Sequence, residues 1–157
     1  MSFSMTTEAI RDGSKTVTRR LGWYFLKPGD VLWAVEKGMG LKKGEKVKRL
    51  ALIRVVSAER EDLDYLLGPY CYPQTDGGRF DAAAEIVREG FPGMTPTEFV
   101  EMFCRANGLE FKPPYWAPWP VNRIEFEYVG EQPSAGSGIM DSTSFHKEPP
   151  RARTPGA

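Results

Sequence analysis

Lys15, Thr18, Arg19 and Arg20 fall close together in the run Gly13-Ser14-Lys15-Thr16-Val17-Thr18-Arg19-Arg20. A guanidinium presents a planar fork of donors and an ammonium a compact point charge. A segment holding both, with hydroxyls between them, suits a phosphate, a carboxylate or an oxyanion. Run as a strand, it sends Lys15, Val17 and Arg19 to one side and Thr16, Thr18 and Arg20 to the other. The same composition also describes a solvated edge strand whose charges deter aggregation.

Three other stretches carry residues that could meet a polyanion. Lys37 to Arg49 is rich in glycine and lysine, and Lys42 and Lys43 within it are candidates for phosphate-backbone contact. The plainer reading of that stretch is a solvated loop. Arg54 interrupts one apolar side of the Leu50 to Arg60 run and is expected to face the same cavity as the cationic segment. In Lys112 to Pro120, the residues Tyr115, Trp116 and Trp119 offer a platform for stacking bases. The alternative is a stiff flap whose rings cover the edge of the core.

The elements that must position these residues follow from local signals. Thr6 or Thr7 can cap a short helix through Asp12, with Met5, Ala9 and Ile10 as its buried side. Gly13 suits the left-handed position that ends it. Phe3 to Met5 reads as a short strand before it. Lys27-Pro28-Gly29-Asp30 is a turn, and Val31 to Val35 after it reads as a strand buried on both faces. Leu50 to Arg60 is a long strand. Gly68 to Gly78 is a loop by every local signal. Asp81 can cap a helix through Arg88, and Thr95-Pro96-Thr97-Glu98 is a capping box with proline at the first helical position. The helix behind it repeats Phe99, Met102, Phe103 and Ala106 on one face. Val121 to Val129 alternates, with Ile124, Phe126 and Tyr128 inward and Arg123, Glu125 and Glu127 outward. About five strands with short helices at their ends predict an α+β domain, a small, partly open β-barrel over residues 1–130. Residues 131–157, poor in apolar side chains, read as a disordered tail.

The 157-residue chain is long enough to bury a core without disulfides or metal. Two cysteines, Cys71 and Cys104, and one histidine, His146, argue against a disulfide framework, a His-based dyad and a His/Cys metal site. No apolar run reaches membrane-spanning length. Met1-Ser2-Phe3-Ser4 lacks the pattern of a signal peptide, so the expectation is a cytoplasmic protein without membrane contact, metal or cofactor. Residues 1–60 hold 13 Lys and Arg against 6 Asp and Glu, whereas residues 61–130 hold 5 against 12. Either the two parts pack together and neutralise each other, or the molecule has a basic face for a polyanion.

The order G-x-K-T-x-T-x-R, a P-G-D turn into a strand, an acidic residue in E-G-F, a T-x-x-E-F helix and a closing R-I-E-F strand resembles the ASCH domain, a branch of the PUA-like superfamily. The resemblance covers about residues 3–129. It implies a PUA-like barrel with a cleft at its mouth for RNA or a nucleotide-like ligand, with no metal. Within that family, small bacterial enzymes hydrolyse the amide of N4-acetylcytidine. Carried over, their catalytic residues fall on Lys15, Thr18 and Glu89, with Arg20 at the position of a family arginine. The chain departs from them at Arg19, where those enzymes are often apolar, and in the 68–80 loop and the 108–120 flap.

Amide hydrolysis needs a base, a group to hold the tetrahedral oxyanion and a proton for the leaving amine. An ordinary lysine is neutral in about one molecule in 2,500 at pH 7, a cost of roughly 4.6 kcal/mol. Burial and the neighbouring arginines lower that cost, and Glu89 raises it. A proton shared between Lys15 and Glu89 resolves the conflict, with Thr18 on the oxyanion or a water. Two other functions use the same residues: a non-catalytic RNA-binding module gripping phosphates through Lys15, Arg19 and Arg20, and a metal-independent ribonuclease. A role in protein–protein contact is a further alternative.

Overall fold

The longest strand among the described residues, grown from the Leu50 to Arg60 run, is one to which two others are attached. The computed structural model describes residues 1–68, 81–113 and 117–130. Its elements are helix α1 (Thr7–Arg11), strands β1 (Val17–Arg20), β2 (Val31–Val35) and β3 (Arg49–Asp62), a 3₁₀ turn (Leu63–Leu67), helices α2 (Ala82–Arg88) and α3 (Pro96–Asn107), and strand β4 (Pro120–Tyr128). β3 pairs with β2 through its first half and with β4 through its second, giving an antiparallel sheet in the order β1-β4-β3-β2. A register shift between Val55 and Ser57 marks a bulge where β3 changes partners. A bulge bends its strand and sharpens the twist, and the sheet curls into a half-barrel with short helices, an α+β architecture.

Four strands form among the described residues, not five. The segment expected as a strand at Phe3 to Met5 forms none, and one parallel bridge, Ser2 to Val35, lies just before it. It goes no further because the Thr6 amide turns back onto the Phe3 carbonyl at 3.1 Å and starts α1. Met5 lies in that turn and is exposed, while Ile10 is fully buried. β2 is an edge strand and not a strand buried on both faces. Val31 and Trp33 point outward, and the Arg49 guanidinium lies 4.8 Å above the Trp33 ring.

The capping signals of the two later helices act as read, whereas Thr6 stands at the start of α1 without a side-chain capping bond and the Thr7 hydroxyl donates back to the Phe3 carbonyl at 3.0 Å. Asp81 accepts from the Ala84 amide and opens α2. Thr95 and Glu98 exchange side-chain and backbone hydrogen bonds around Pro96 to open α3, which ends at a left-handed Gly108. α3 and the 3₁₀ turn pack Phe99, Val100, Leu63 and Leu66 with Ile86 and Val121. A second cluster, Phe3, Ile10, Ala34, Ile53 and Phe126, fills the other side of the sheet. No helix among the described residues is long and apolar enough to cross a membrane. Residues 69–78 of the expected loop, Tyr115 and Trp116 of the flap and the 131–157 tail lie outside the described residues.

α2 ends against α1, and one glycine permits it. Gly90 has φ +88°, and a Cβ there would stand 3.0 Å from the Ala9 Cβ and 3.2 Å from the Thr6 Cγ2. Gly93 has nearly the same φ, +87°, with open space around it. Replacing each by alanine separates backbone strain from collision. Gly93→Ala is expected to cost about 1–2 kcal/mol, the penalty of a left-handed L-residue. Gly90→Ala is expected to cost roughly 1–3 kcal/mol more, the penalty of overpacking. Urea unfolding of the two variants checks the difference.

Candidate active site

Lys15 is turned inward by the backbone on either side of it. Its amide donates to the Ala9 carbonyl at 3.0 Å, tying it to α1. Its own carbonyl accepts from the Tyr128 hydroxyl at 2.6 Å, tying it to β4. The next amide, Thr16, donates to the Arg88 carbonyl of α2 at 2.9 Å. Glu89 caps the C-terminal end of α2, its amide still bonded to the Glu85 carbonyl, before the Gly90 turn. The two side chains, far apart in sequence, therefore meet. Lys15 Nζ donates to Glu89 Oε2 at 2.9 Å and to the Glu89 carbonyl oxygen. Lys15 and Glu89 are each 2 % exposed. The Phe3 and Phe91 rings flank the ammonium, with centroids 5.8 and 5.9 Å away. Burial pushes the Lys15 ammonium below its ordinary pKa, opposed by the Glu89 carboxylate and assisted by Arg20 and Arg19.

Arg19 is held by carboxylates on three sides. Its Nε donates to Glu61 at 2.6 Å, Nη2 to Glu85 at 3.0 Å and Nη1 to Glu89 at 3.1 Å. Glu85 also receives Arg123 through two nitrogens, each at 2.9 Å, and Arg88 at 3.0 Å. Against the cost of its burial, the Arg123 and Arg19 guanidinium groups hold the Glu85 carboxyl down to about pKa 2. Glu125 on β4 joins Arg88 and Arg123. The side of β4 expected to face solvent, Arg123 and Glu125, is thus covered by α2.

A cavity of about 150 Å³, partly open to solvent, lies over the Lys15–Glu89 pair. β1 and the end of α2 supply its polar wall, with Lys15, Thr18, Arg20 and Glu89; Phe3, Phe99 and Met102 belong to its apolar wall. Its volume is below the roughly 300–1,000 Å³ of sites for drug-sized ligands, so it suits one planar ring or a short acyl group. Arg20 gives Nε to the Thr18 hydroxyl at 3.2 Å and Nη2 to the Ser2 carbonyl, and stacks 4.9 Å above Phe3. No carboxylate pairs with it among the described residues. Because Thr18 Oγ1 accepts from Arg20, its own proton is free to be given to a ligand oxygen. The arrangement can bind a ring against phenylalanines, hold an anionic or carbonyl oxygen, and move a proton between amine and carboxylate.

Lys15, Thr18, Arg20 and Glu89, the positions named by the family resemblance, line one cavity. Arg19 reaches the cavity wall but spends its donors on protein carboxylates, so it is not an open ligand-binding group. Arg54 does not line the cavity: it is exposed and pairs with Glu127 at 2.9 Å across the β3–β4 ladder. Its place in the ladder decides this, because position 54 faces away from the buried Ile53 and Val55. Lys42 and Lys43 sit on the exposed turn between β2 and β3 and contribute nothing to the cavity wall. Trp119 packs on the helical cluster and gives its indole N–H to the Glu110 carbonyl at 2.6 Å, so its ring covers core. Trp116 is outside the described residues. Sequence reasoning missed Phe3 and Phe91 beside the amine, and Glu61, Glu85 and Arg123 behind it. One signal was present: Glu85 and Glu89 are four residues apart on a helix, which puts both carboxylates on one face. At this site the basic first part and the acidic second part neutralise each other.

Removing the cation from the centre of this network is expected to be severe. Arg19→Met leaves Glu61, Glu85 and Glu89 short of a partner and is expected to cost roughly 3–5 kcal/mol in urea unfolding. The acid limb has a defined sign. A carboxyl at about 2 in the fold and near 4.5 unfolded stabilises above the higher value, and that stability is lost as pH falls from about 4.5 to about 2. Glu61, raised by burial, opposes it, because protonation of Glu61 favours the fold as pH falls toward 4.5. Urea midpoints measured from pH 6 downward are therefore expected to fall mainly in the lower window.

Neither protein-family models nor curated proteins give a match to the chain. Among solved structures, the chain is similar to an ASCH domain from Lactobacillus crispatus JV V101, at 13 % identity and a TM-score of 0.44, over 78 % of this chain and 69 % of that one. It is also similar to a DUF984 protein from Enterococcus faecalis V583, at 14 % identity and a TM-score of 0.41, over 78 % of this chain and 66 % of the other. Likeness at that level assigns neither a family nor a ligand.

Proposed function

We propose that the cavity takes a nucleobase of RNA or of a modified nucleoside, and that Lys15, Thr18 and Glu89 hydrolyse an exocyclic amide on it, as in N4-acetylcytidine. The observation that carries this reading is the buried Lys15–Glu89 pair, 2.9 Å apart and opening on a cavity the size of one ring. The sequence resemblance to ASCH enzymes supplies the substrate class. In the proposed reaction, neutral Lys15 takes a proton from a water that attacks the acyl carbon. Thr18 and Arg20 hold the oxyanion. The C–N bond then breaks, the Lys15 ammonium returns the proton to the departing nitrogen, and the free amine leaves with acetic acid, which gives its remaining proton to solvent as acetate. Glu89 stabilises the ammonium between the two transfers.

Chromatographic assay of acetylated cytidine tests this. Lys15→Ala is expected to lower kcat/KM by about 10²–10⁴-fold, the usual weight of a positioned acid or base. Thr18→Val is expected to lower it by about 10²–10³-fold, as for loss of an oxyanion donor. The wild-type rate should rise with pH and level off below the ordinary lysine value of 10.5, because burial favours the neutral amine. Undiminished hydrolysis by Lys15→Ala overturns the proposal.

A binding-only reading is favoured by one observation: Lys42 and Lys43 are exposed and pair with no carboxylate among the described residues. A phosphate-backbone binder loses affinity steeply as salt rises, whereas binding of a neutral nucleoside does not. Fluorescence titration of a short RNA and of the nucleoside at two salt concentrations separates the two.

A further inference from the structure

Glu85 does not line the cavity. It sits behind it, facing a separate cleft on the other side of Arg19 with Glu59, Glu61, Tyr65 and Arg123. Its contacts nevertheless run forward. One Arg19 nitrogen is held by Glu85, and the neighbouring nitrogen of the same planar group holds Glu89 Oε1 at 3.1 Å. That leaves Glu89 Oε2 for Lys15. Glu85 is itself fixed from behind by the paired nitrogens of Arg123 and by Arg88. Glu85 and Glu89 share one helix face, so Arg19 spans two successive turns of α2.

We infer that Glu85 is a positioning residue for the Lys15–Glu89 pair, acting through the Arg19 guanidinium and backed by Arg123. Two effects follow. The first is geometric: a guanidinium is rigid, so fixing one of its nitrogens fixes the direction from which the next meets Glu89. The second is electrostatic: Arg19 divides its single charge among three carboxylates, so Glu89 keeps enough negative potential to hold the Lys15 proton. With Glu85 neutral, more of the Arg19 charge falls on Glu89 and the ammonium is held less well. The charged groups facing Lys15 are Glu89 from α2 and Arg19 and Arg20 from β1. Behind them stand Glu85, Glu61, Arg88, Arg123 and Glu125.

The inference rests on Lys15 and Glu89 being the working pair, and its test does not depend on that. Protein carrying ¹³Cε-labelled lysine reports each amine's titration by NMR, and the Lys15 signal is the one absent from Lys15→Met. Glu85→Gln is expected to move the Lys15 midpoint down by about one unit. Arg123→Gln, which removes a positive charge from the same chain of contacts, is expected to move it up. A midpoint unmoved in a folded Glu85→Gln protein overturns the inference. If that variant does not fold, a midpoint that is unmoved or lowered in Arg123→Gln does so. In the acetylcytidine assay, Glu85→Gln is expected to move the rise of kcat with pH down by about one unit, with KM unchanged because Glu85 touches no part of the cavity. Wild-type protein inactive on acetylcytidine would sink the proposed reaction and leave the NMR result to decide the role of Glu85.

Discussion

A guanidinium cannot give up its charge in a protein, and Arg19 is shielded from water along its whole side chain. That combination constrains everything near it. Taking one charge out of water costs several kcal/mol unless close, well-directed partners repay it. Here the partners are Glu61 at the end of β3 and Glu85 and Glu89 on α2, all within 3.1 Å. β1 and α2 must therefore dock in one register, and that register brings Glu89 to Lys15. The backbone cooperates through the bond from the Thr16 amide to the Arg88 carbonyl.

The neighbouring residue shows how much a strand's alternation decides. Arg19 and Arg20 are identical in chemistry and adjacent in sequence, so they leave β1 on opposite sides. Arg19 meets the acidic face of α2 and is neutralised there. Arg20 meets the N-terminal segment, stacks on Phe3, and donates to a hydroxyl and a carbonyl. One arginine organises the protein interior while the other is left to face the cavity. A third cation, Lys15, stands between these roles: paired with Glu89, yet buried among phenylalanines that disfavour its charge. Burial and the two arginines thus act on the Lys15 proton in one direction and the Glu89 carboxylate in the other.

Local signals were legible wherever a few consecutive residues settle the outcome. Asp81 and the Thr95–Glu98 box begin helices where they stand in the sequence, because a cap needs only the next turn of backbone. Ile124 and Phe126 alternate inward as written. The misreadings share one cause: burial depends on which neighbours a residue acquires. β2 was apolar enough for the interior but lies at the sheet edge, with Trp33 covered on one side by Arg49. Arg54 was placed in the cavity by its interruption of an apolar run, whereas its ladder position directs it to Glu127. Arg123 and Glu125 looked like a solvated face until α2 was laid across them.

By itself, the sequence determined the chemistry available: one crowded cationic strand, a scarcity of histidine and cysteine, two glutamates one helical turn apart, and the starts of α2 and α3. Each of these is a property of residue type or short spacing. Only the tertiary structure decided which charges would be spent and which left over. Charge interactions act through space and depend steeply on distance and burial, and distance across the fold is what a linear order does not carry. The pairing of Lys15 with Glu89, the enclosure of Arg19 by three carboxylates and the opening of Arg20 onto a cavity follow from how β1, β4 and α2 dock.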